Sequence, residues 1–254
     1  MTTAYQIITP SAAMMAQPDA LSGRVTDALY GEAVTLIKQQ DDWVEVVLET
    51  DGYQAWVETS SLGQLPPATH HIIAPRALLT VTPDIKSPAV GYLPLGALIS
   101  AEDGHNDQDT LAVTGQDGIK GYIPQHHALP LGEYCPDYVT VAEGMIGTPY
   151  RWGGRDSIGF DCSALVQLSL AAAGQKVMRN SGDQEKTIGH SLDHIDDLRR
   201  GDLVFWKGHV GIMADGHTLL HANMHHAMTA VEDLRSALPR LETAAGPITR
   251  LARI

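Results

Sequence analysis

The stretch Pro149-Tyr150-Arg151-Trp152-Gly153-Gly154, running on through Gly159-Phe160-Asp161-Cys162-Ser163-Ala164-Leu165-Val166, constrains the chain more than any other. Its glycines mark a loop. After Phe160, Leu165, Leu168 and Ala172 recur at helical spacing, and Gly174 is a helix stop. Asp161 is a good N-cap residue, which puts Cys162 in the first helical turn. The unpaired N–H groups and the helix dipole there favour thiolate over thiol. Cys162 then has two readings: a nucleophile, or a small buried residue in an Ala-rich helix.

A thiol nucleophile needs a base within hydrogen-bond reach, and the base needs an orienting partner. His209 and His221 offer both. His209 to Met213 reads as a strand, and so does His217 to Ala222. Between them lies Ala214-Asp215-Gly216. A three-residue loop with Gly216 left-handed pairs Met213 with His217, and so places His209 opposite His221. Directly opposed residues have β-carbons about 4.5–5.5 Å apart on one face. A two-residue loop at Asp215-Gly216 would instead put the rings on opposite faces. The two rings also have bland readings, since the chain holds twelve histidines. One alternative is a metal stripe of His217, His221 and His225 on a helix; the turn signal favours a hairpin, and no metal or other cofactor is expected. The doublets His70-His71, His126-His127 and His225-His226 read as surface residues.

The rest of the chain sorts by composition. Its 254 residues suffice for two or three small domains. A net charge of −13 disfavours a nucleic-acid partner. Two cysteines, Cys135 and Cys162, are too few for a disulfide scaffold. The start, Met1-Thr2-Thr3-Ala4-Tyr5-Gln6, shows no basic region followed by an apolar run. No membrane insertion is expected, and the location is expected to be cytoplasmic, or periplasmic if a leader has been trimmed.

From about residue 22 to 63, short strand-like runs alternate with turns: Ala33 to Ile37, Trp43 to Leu48, then Asp51-Gly52 and Tyr53 to Val57. A small all-β barrel fits. Residues 75 to 130 repeat the plan. Gly91 to Ile99 stands where Ala28 to Val34 stood, Thr110 to Thr114 replaces the Trp43 strand, and Asp117-Gly118-Ile119 through Pro124 replaces Asp51 through Glu58. Gln64-Leu65-Pro66-Pro67-Ala68 is the joint. Near residue 130 the composition changes. Pro136 opens a helix through Val139 and Ala142 to Ile146, stopped by Gly147. The Cys162 helix follows, then strands at Gly201–Trp206, His209–Met213 and His217–Ala222, with more at Val231 and 248–254. Helices first and antiparallel strands after them imply an α+β domain. The expected divisions are 1–68, 69–130 and 131–254.

The motifs Pro149-Tyr150-x-Trp152-Gly153-Gly154, Phe160-Asp161-Cys162-Ser163-Ala164-Leu165-Val166, Gly201-Asp202-Leu203-Val204-Phe205-Trp206 and His209-Val210-Gly211-Ile212 together resemble the NlpC-type cell-wall cysteine peptidases. The resemblance covers roughly residues 135 to 225 and implies a papain-like α+β core. Carried over residue by residue, it makes Cys162 the nucleophile, His209 the base and later the acid, and His221 the orienting residue. It makes the Cys162 N–H and the Tyr150 hydroxyl the oxyanion donors. It makes Trp152 a substrate-binding residue, and places Asp161 and Ser163 at the substrate's free α-amine. Arg179-Asn180-Ser181-x-x-Gln184 resembles a further substrate-lining motif through Ser181, with Asn180 replacing a frequent Asp. The two β modules resemble bacterial SH3-like domains through their Gly-x-x-(Gly/Ala)-(aromatic)-(Val/Ile) endings.

A pair of such modules before this catalytic domain resembles the γ-D-glutamyl-L-diamino acid endopeptidases. That subgroup implies cleavage of the γ-D-Glu–diamino acid bond in peptidoglycan stem peptides with a free N-terminal L-Ala. In Leu29-Tyr30-Gly31-Glu32, Glu32 would be a second anchor for the amine, or else a surface glutamate. Tyr53 and Trp56 would line the same wall, or form module core. The other classes are a thiol amidase or acyltransferase acting on another amide or a lipid, and a non-catalytic wall-binding protein; the intact Cys162, His209 and His221 set speaks against the last.

Overall fold

The structure, a computed structural model, describes residues 5–84, 86–103, 109–118 and 120–254. Ile119 of the repeat comparison and 1–4 of the start lie outside the described residues. The chain divides into two compact units: Met1–Tyr134 with Arg155–Ser157, and Cys135–Gly154 with Ile158–Ile254.

The first unit is all β apart from single 3-10 turns. One antiparallel sheet holds β1 (Tyr5–Ile7), β2 (Ser11–Met15), β3 (Arg24–Leu29), β4 (Ala33–Gln40), β5 (Trp43–Leu48), β6 (Gln54–Glu58) and β7 (Leu62–Gly63), in the order β3-β2-β6-β5-β4-β1-β7. The second holds β8 (His70–Ile72), β9 (Arg76–Thr80), β10 (Ala89–Pro94), β11 (Leu98–Asp103), β12 (Thr110–Thr114), β13 (Lys120–Pro124) and β14 (Ala128–Pro130), in the order β10-β9-β13-β12-β11-β8-β14. The second order is the first with each strand number raised by seven.

Hydrogen bonds repeat as well. Gly31 N donates to Ile7 O at 2.8 Å, and Gly96 N to Ile72 O at 2.9 Å. Gly31 and Gly96 are both left-handed, with φ of 82° and 84°. A Cβ on Gly31 would also lie 2.0 Å from the Leu98 carbonyl oxygen, so only glycine fits there. In β5, Val44, Val46 and Leu48 point inward while their neighbours stay half-exposed, the period-2 pattern of a strand with one buried face. Ile7, Met14 and Val57 complete that core, and Ile72, Ile99, Leu111 and Ile123 form its counterpart in the second sheet. The segment Gln64 to Ala68 lies between β7 and β8, where the joint is expected. The short strands β1 and β2 escape the sequence pattern: one has three residues, and the other, Ser-Ala-Ala-Met-Met, has no β-branched residue. The two-residue strand β15 (Arg155–Asp156) belongs to this unit.

The second unit is α+β. Helix α1 (Tyr138–Glu143) starts one residue after Asp137, whose carboxylate accepts from Val139 N at 2.9 Å. It is shorter than the expected Pro136–Ile146 span, because the chain turns from Gly144 to a left-handed Gly147. Strand β16 (Gly159–Phe160) leads into α2 (Cys162–Ala172), in which every residue but Ala171 is buried. Helix α3 (Ser181–Thr187) follows. The sheet then runs β17-β22-β18-β19-β20-β21, built from β17 (His190–Leu192), β18 (Leu203–Trp206), β19 (His209–Met213), β20 (Thr218–Asn223), β21 (Met228–Asp233) and β22 (Ile248–Arg253). Helix α2 packs on β19 and β20, which brings its first turn to the two histidine strands.

Helix α4 (Leu234–Ala245) is absent from the sequence reading because Pro239 sits inside it. It forms nonetheless. Asp233 caps it at Ser236 N, 2.8 Å away, and Leu234, Ala237 and Leu241 bury one face against Trp206, Met213 and Leu251. Among the described residues no helix is long and apolar enough to cross a membrane.

Candidate active site

The hairpin that carries the histidines differs from expectation by two residues. Ile212 pairs with Leu220 and Met213 with Leu219, and Ala214 N donates to Thr218 O at 2.8 Å. The three-residue loop is therefore Asp215-Gly216-His217. Gly216 is not left-handed. The Asp215 carboxylate supplies the turn instead, accepting from the amides of His217 and Thr218, both at 2.7 Å. A shift of two preserves the face each side chain points to. His209 and His221 thus meet diagonally across the sheet: His209 Nε2 lies 2.8 Å from His221 Nδ1. Gly211 allows this, since a Cβ there would stand 3.2 Å from the His221 Cβ.

Each ring is fixed from behind. Trp206 pairs with His209 across β18 and β19, and its buried ring lies 5.7 Å from the imidazole, centroid to centroid. His221 is fully buried, and its Nε2 lies 2.7 Å from Glu232 Oε1. Glu232, on β21, is also bonded to the Arg240 guanidinium from α4. Burial pushes His209 down to about 3 and His221 to about 4, despite the opposing pull of Glu232. Both rings are neutral at pH 7.

Cys162 opens α2 as expected, with Asp161 as the cap: its carboxylate accepts from Ala164 N at 2.8 Å. The nearby backbone amides of Val210 and Ser163 favour the charged form of the Cys162 sulfur. The resting sulfur is nevertheless not a thiolate. Burial, and then the Asp161 charge, push the thiol up to about 12, outweighing those amides and Arg179. Tyr150 is held by its backbone, its N–H donating to Ala227 O at 2.9 Å. Burial and the neighbouring Cys162 and Asp161 raise its hydroxyl to about 12, so it stays a hydrogen-bond donor at neutral pH.

Comparison with known proteins sets these residues in context. The NlpC/P60 family matches residues 147–243, and the bacterial dipeptidyl-peptidase Sh3 domain matches residues 14–62. A protein named gamma-D-glutamyl-L-lysine dipeptidyl-peptidase from Bacillus subtilis is 30% identical over 219 residues, covering 78% of this chain and 71% of that protein. The chain belongs to the NlpC/P60 family. It is a cysteine peptidase with an N-terminal SH3-like domain. Dipeptidyl-peptidase 6 from Lysinibacillus sphaericus is 26% identical over 86% of this chain and 87% of its own. A crystal structure of an NlpC/P60 family protein from Bacillus cereus shares the fold, with a TM-score of 0.82 at 18% identity, over 98% of this chain and 99% of that one.

In this NlpC/P60 chain the residues expected at the substrate amine are otherwise engaged. Asp161 accepts from five donors: Gly153 N (3.1 Å), Ala164 N (2.8 Å), Ser163 Oγ (3.1 Å) and two Arg179 nitrogens (2.9 and 2.6 Å). Asp161 is thus paired with Arg179 and is not a free anion. Ser163 Oγ also accepts from Arg179, at 2.8 Å. Glu32 is not a surface glutamate. It is buried, and its carboxylate takes both Arg155 guanidinium nitrogens at 3.0 Å and the Leu29 amide at 2.7 Å. Arg155 further binds the Asp27 carbonyl at 2.9 Å. The expected second amine anchor is thus half of a buried ion pair inside the first unit. Tyr53 packs against the first sheet's core, and Trp56 is buried with Lys38 Nζ 4.9 Å above its ring.

Ser181 begins α3, and Gln184 in the same helix donates to Ser163 O at 2.9 Å and Met178 O at 2.8 Å. Trp152 is 70% exposed on the loop before Cys162. The helical stripe His217, His221, His225 does not form, because His217 lies in the turn and His221 in a strand. His221, His226 and Glu232 do place ligand-type atoms within 4.8 Å of one another. Arg240 already pairs with Glu232 there, His221 Nε2 is engaged by Glu232, and His226 Nδ1 lies 3.1 Å from Asn223 Oδ1. Both cysteines are free thiols. Sequence reasoning missed Glu232, Arg240 and the pairing role of Arg179. No pattern in Met228-Thr229-Ala230-Val231-Glu232 points to Glu232 in the sequence.

Proposed function

We propose that this peptidase hydrolyses the amide between the γ-carboxyl of D-glutamate and a diamino acid in peptidoglycan stem peptides that begin with a free L-alanine. The observation that carries the reading is the 2.8 Å His209–His221 bond on the two strands against which the Cys162 helix packs. The substrate class is supported by the Bacillus subtilis relative's name. The free N-terminus is supported by the word dipeptidyl-peptidase in the relatives' names rather than by Asp161 or Glu32.

In the proposed reaction Cys162 Sγ attacks the γ-carbonyl carbon as its proton passes to His209. The carbonyl oxygen becomes an oxyanion, met by the Cys162 N–H at the start of α2 and by the Tyr150 hydroxyl. The C–N bond breaks, and His209 returns its proton to the diamino acid's nitrogen. Water then adds to the thioester, giving one proton to His209. The C–S bond breaks, and the sulfur recovers that proton. A thiol at rest suits this sequence, since the proton leaves only as the bond to carbon forms. Ser181 and Trp152 are placed at the substrate in this reading.

We read residues 1–68 and 69–130 as two SH3-like domains, supported by the repeated strand order, and 131–254 as the catalytic domain. We place the enzyme in the cytoplasm, acting on released stem peptides; cell fractionation checks it. The functional test is mass analysis of products from L-Ala-γ-D-Glu-diaminopimelate, beside its N-acetylated copy and an N-acyl amide. Release of L-Ala-γ-D-Glu from the free tripeptide alone is expected. Turnover of only the N-acyl amide would replace the proposal with a thiol amidase or acyltransferase.

A further inference from the structure

Among the described residues, the network behind His209 is longer than two histidines. His209 Nε2 meets His221 Nδ1 at 2.8 Å, His221 Nε2 meets Glu232 Oε1 at 2.7 Å, and Glu232 is clamped by Arg240. Arg240 can only donate, and an ionised carboxylate can only accept. These two facts fix every proton in the chain.

Because Glu232 accepts, His221 carries its proton on Nε2. A neutral imidazole has one N–H, so His221 Nδ1 is an acceptor. The short contact then requires His209 Nε2 to be the donor. The lone pair left on neutral His209 is on Nδ1, and that is the nitrogen able to take the thiol proton. We infer that Glu232, braced by Arg240, is a positioning residue that selects the His209 tautomer competent to act as base. This rests on the reading of Cys162 and His209 as nucleophile and base.

Without an acceptor at position 232, His221 gains nothing from a proton on Nε2. The tautomer with Nδ1–H becomes accessible, and it faces the His209 N–H donor to donor. His209 must then move its own proton to Nδ1 to restore the bond, and the base is lost. Glutamine restores the pattern, because its amide oxygen accepts from His221 Nε2.

The test uses the full chain with 15N-labelled histidine. In the wild type at pH 7, His221 is expected to be protonated on Nε2 and His209 on Nε2. Glu232→Ala is expected to lose this pattern and to lower kcat about 10- to 100-fold, with KM changed by less than about threefold. Glu232→Gln is expected to keep the pattern and to stay within about threefold of wild-type kcat. Glu232→Met, of similar volume, takes the place of alanine should that variant not fold. An alanine or methionine variant with the wild-type nitrogen pattern and wild-type kcat overturns the inference. A wild type with the expected pattern that cleaves no stem peptide overturns the functional reading instead, and leaves the proton assignment standing.

Discussion

Asp161 and Arg179 form a buried, two-pronged ion pair at the foot of the helix that carries Cys162, with N–O distances of 2.9 and 2.6 Å. The pair does two jobs. Asp161 caps α2 and so fixes where Cys162 sits, while Arg179 offsets much of the negative charge the cap brings next to the sulfur. Burial, more than this pair, leaves Cys162 protonated at rest.

Asp161→Asn removes the charge that, after burial, most disfavours the thiolate, and leaves the buried Arg179 guanidinium without its carboxylate. The thiol is expected to titrate well below its wild-type position of about 12. Stability is expected to fall by about 3 kcal/mol, the cost of stripping one partner from a buried pair. The pH dependence of iodoacetamide alkylation and a urea melt read the two effects. An alkylation profile identical to wild type would contradict the assigned cause.

Glu32→Ala is expected to destabilise the first unit by about 3–5 kcal/mol, because Arg155 stays buried without its carboxylate. The matching position of the second sheet is Ala97, which donates to Pro94 O at 3.1 Å as Glu32 does to Leu29 O at 3.0 Å. The backbone therefore accepts alanine, and the cost is electrostatic. Pairing Glu32→Ala with Arg155→Met should recover most of it. Equal urea midpoints for wild type and Glu32→Ala would show that the pair contributes nothing.

Much of this was legible in the sequence. The Asp161 cap, the first-turn cysteine and the β19 and β20 strands follow from residue type and spacing alone. The repeat was visible because matching runs recur in the same order, Thr110 to Thr114 for the Trp43 strand and Asp117-Gly118 for Asp51-Gly52. Two things stayed hidden for physical reasons. The hairpin register depends on whether a glycine or an aspartate carboxylate makes the turn, and Asp215-Gly216 offers both. Ion partners are brought together only by the fold: Arg155 lies far along the chain from Glu32, and Arg240 reaches Glu232 because α4 forms despite Pro239. Charges that look like free anchors in the sequence were already paired in the fold.

The two depressed histidines make stability depend on pH with a definite sign. Unfolded, both rings take up protons as pH falls through their ordinary value of 6.5; folded, they resist until about 4 and 3. The unfolded state binds more protons in that window, so stability is full above 6.5 and is lost as pH falls toward 3. Urea midpoints between pH 7 and 4.5 should fall more steeply for the wild type than for His209→Gln. Parallel slopes would show that His209 is not buried as a neutral ring.

The most direct test is mass analysis of products from the L-Ala-γ-D-Glu-diaminopimelate tripeptide, comparing the wild type with a folded Cys162→Ala variant. The wild type is expected to release the dipeptide and free diaminopimelate, and the variant neither, with at least about a thousandfold loss. Dipeptide release by Cys162→Ala at a rate near the wild type's would contradict the assignment of the sulfur as nucleophile.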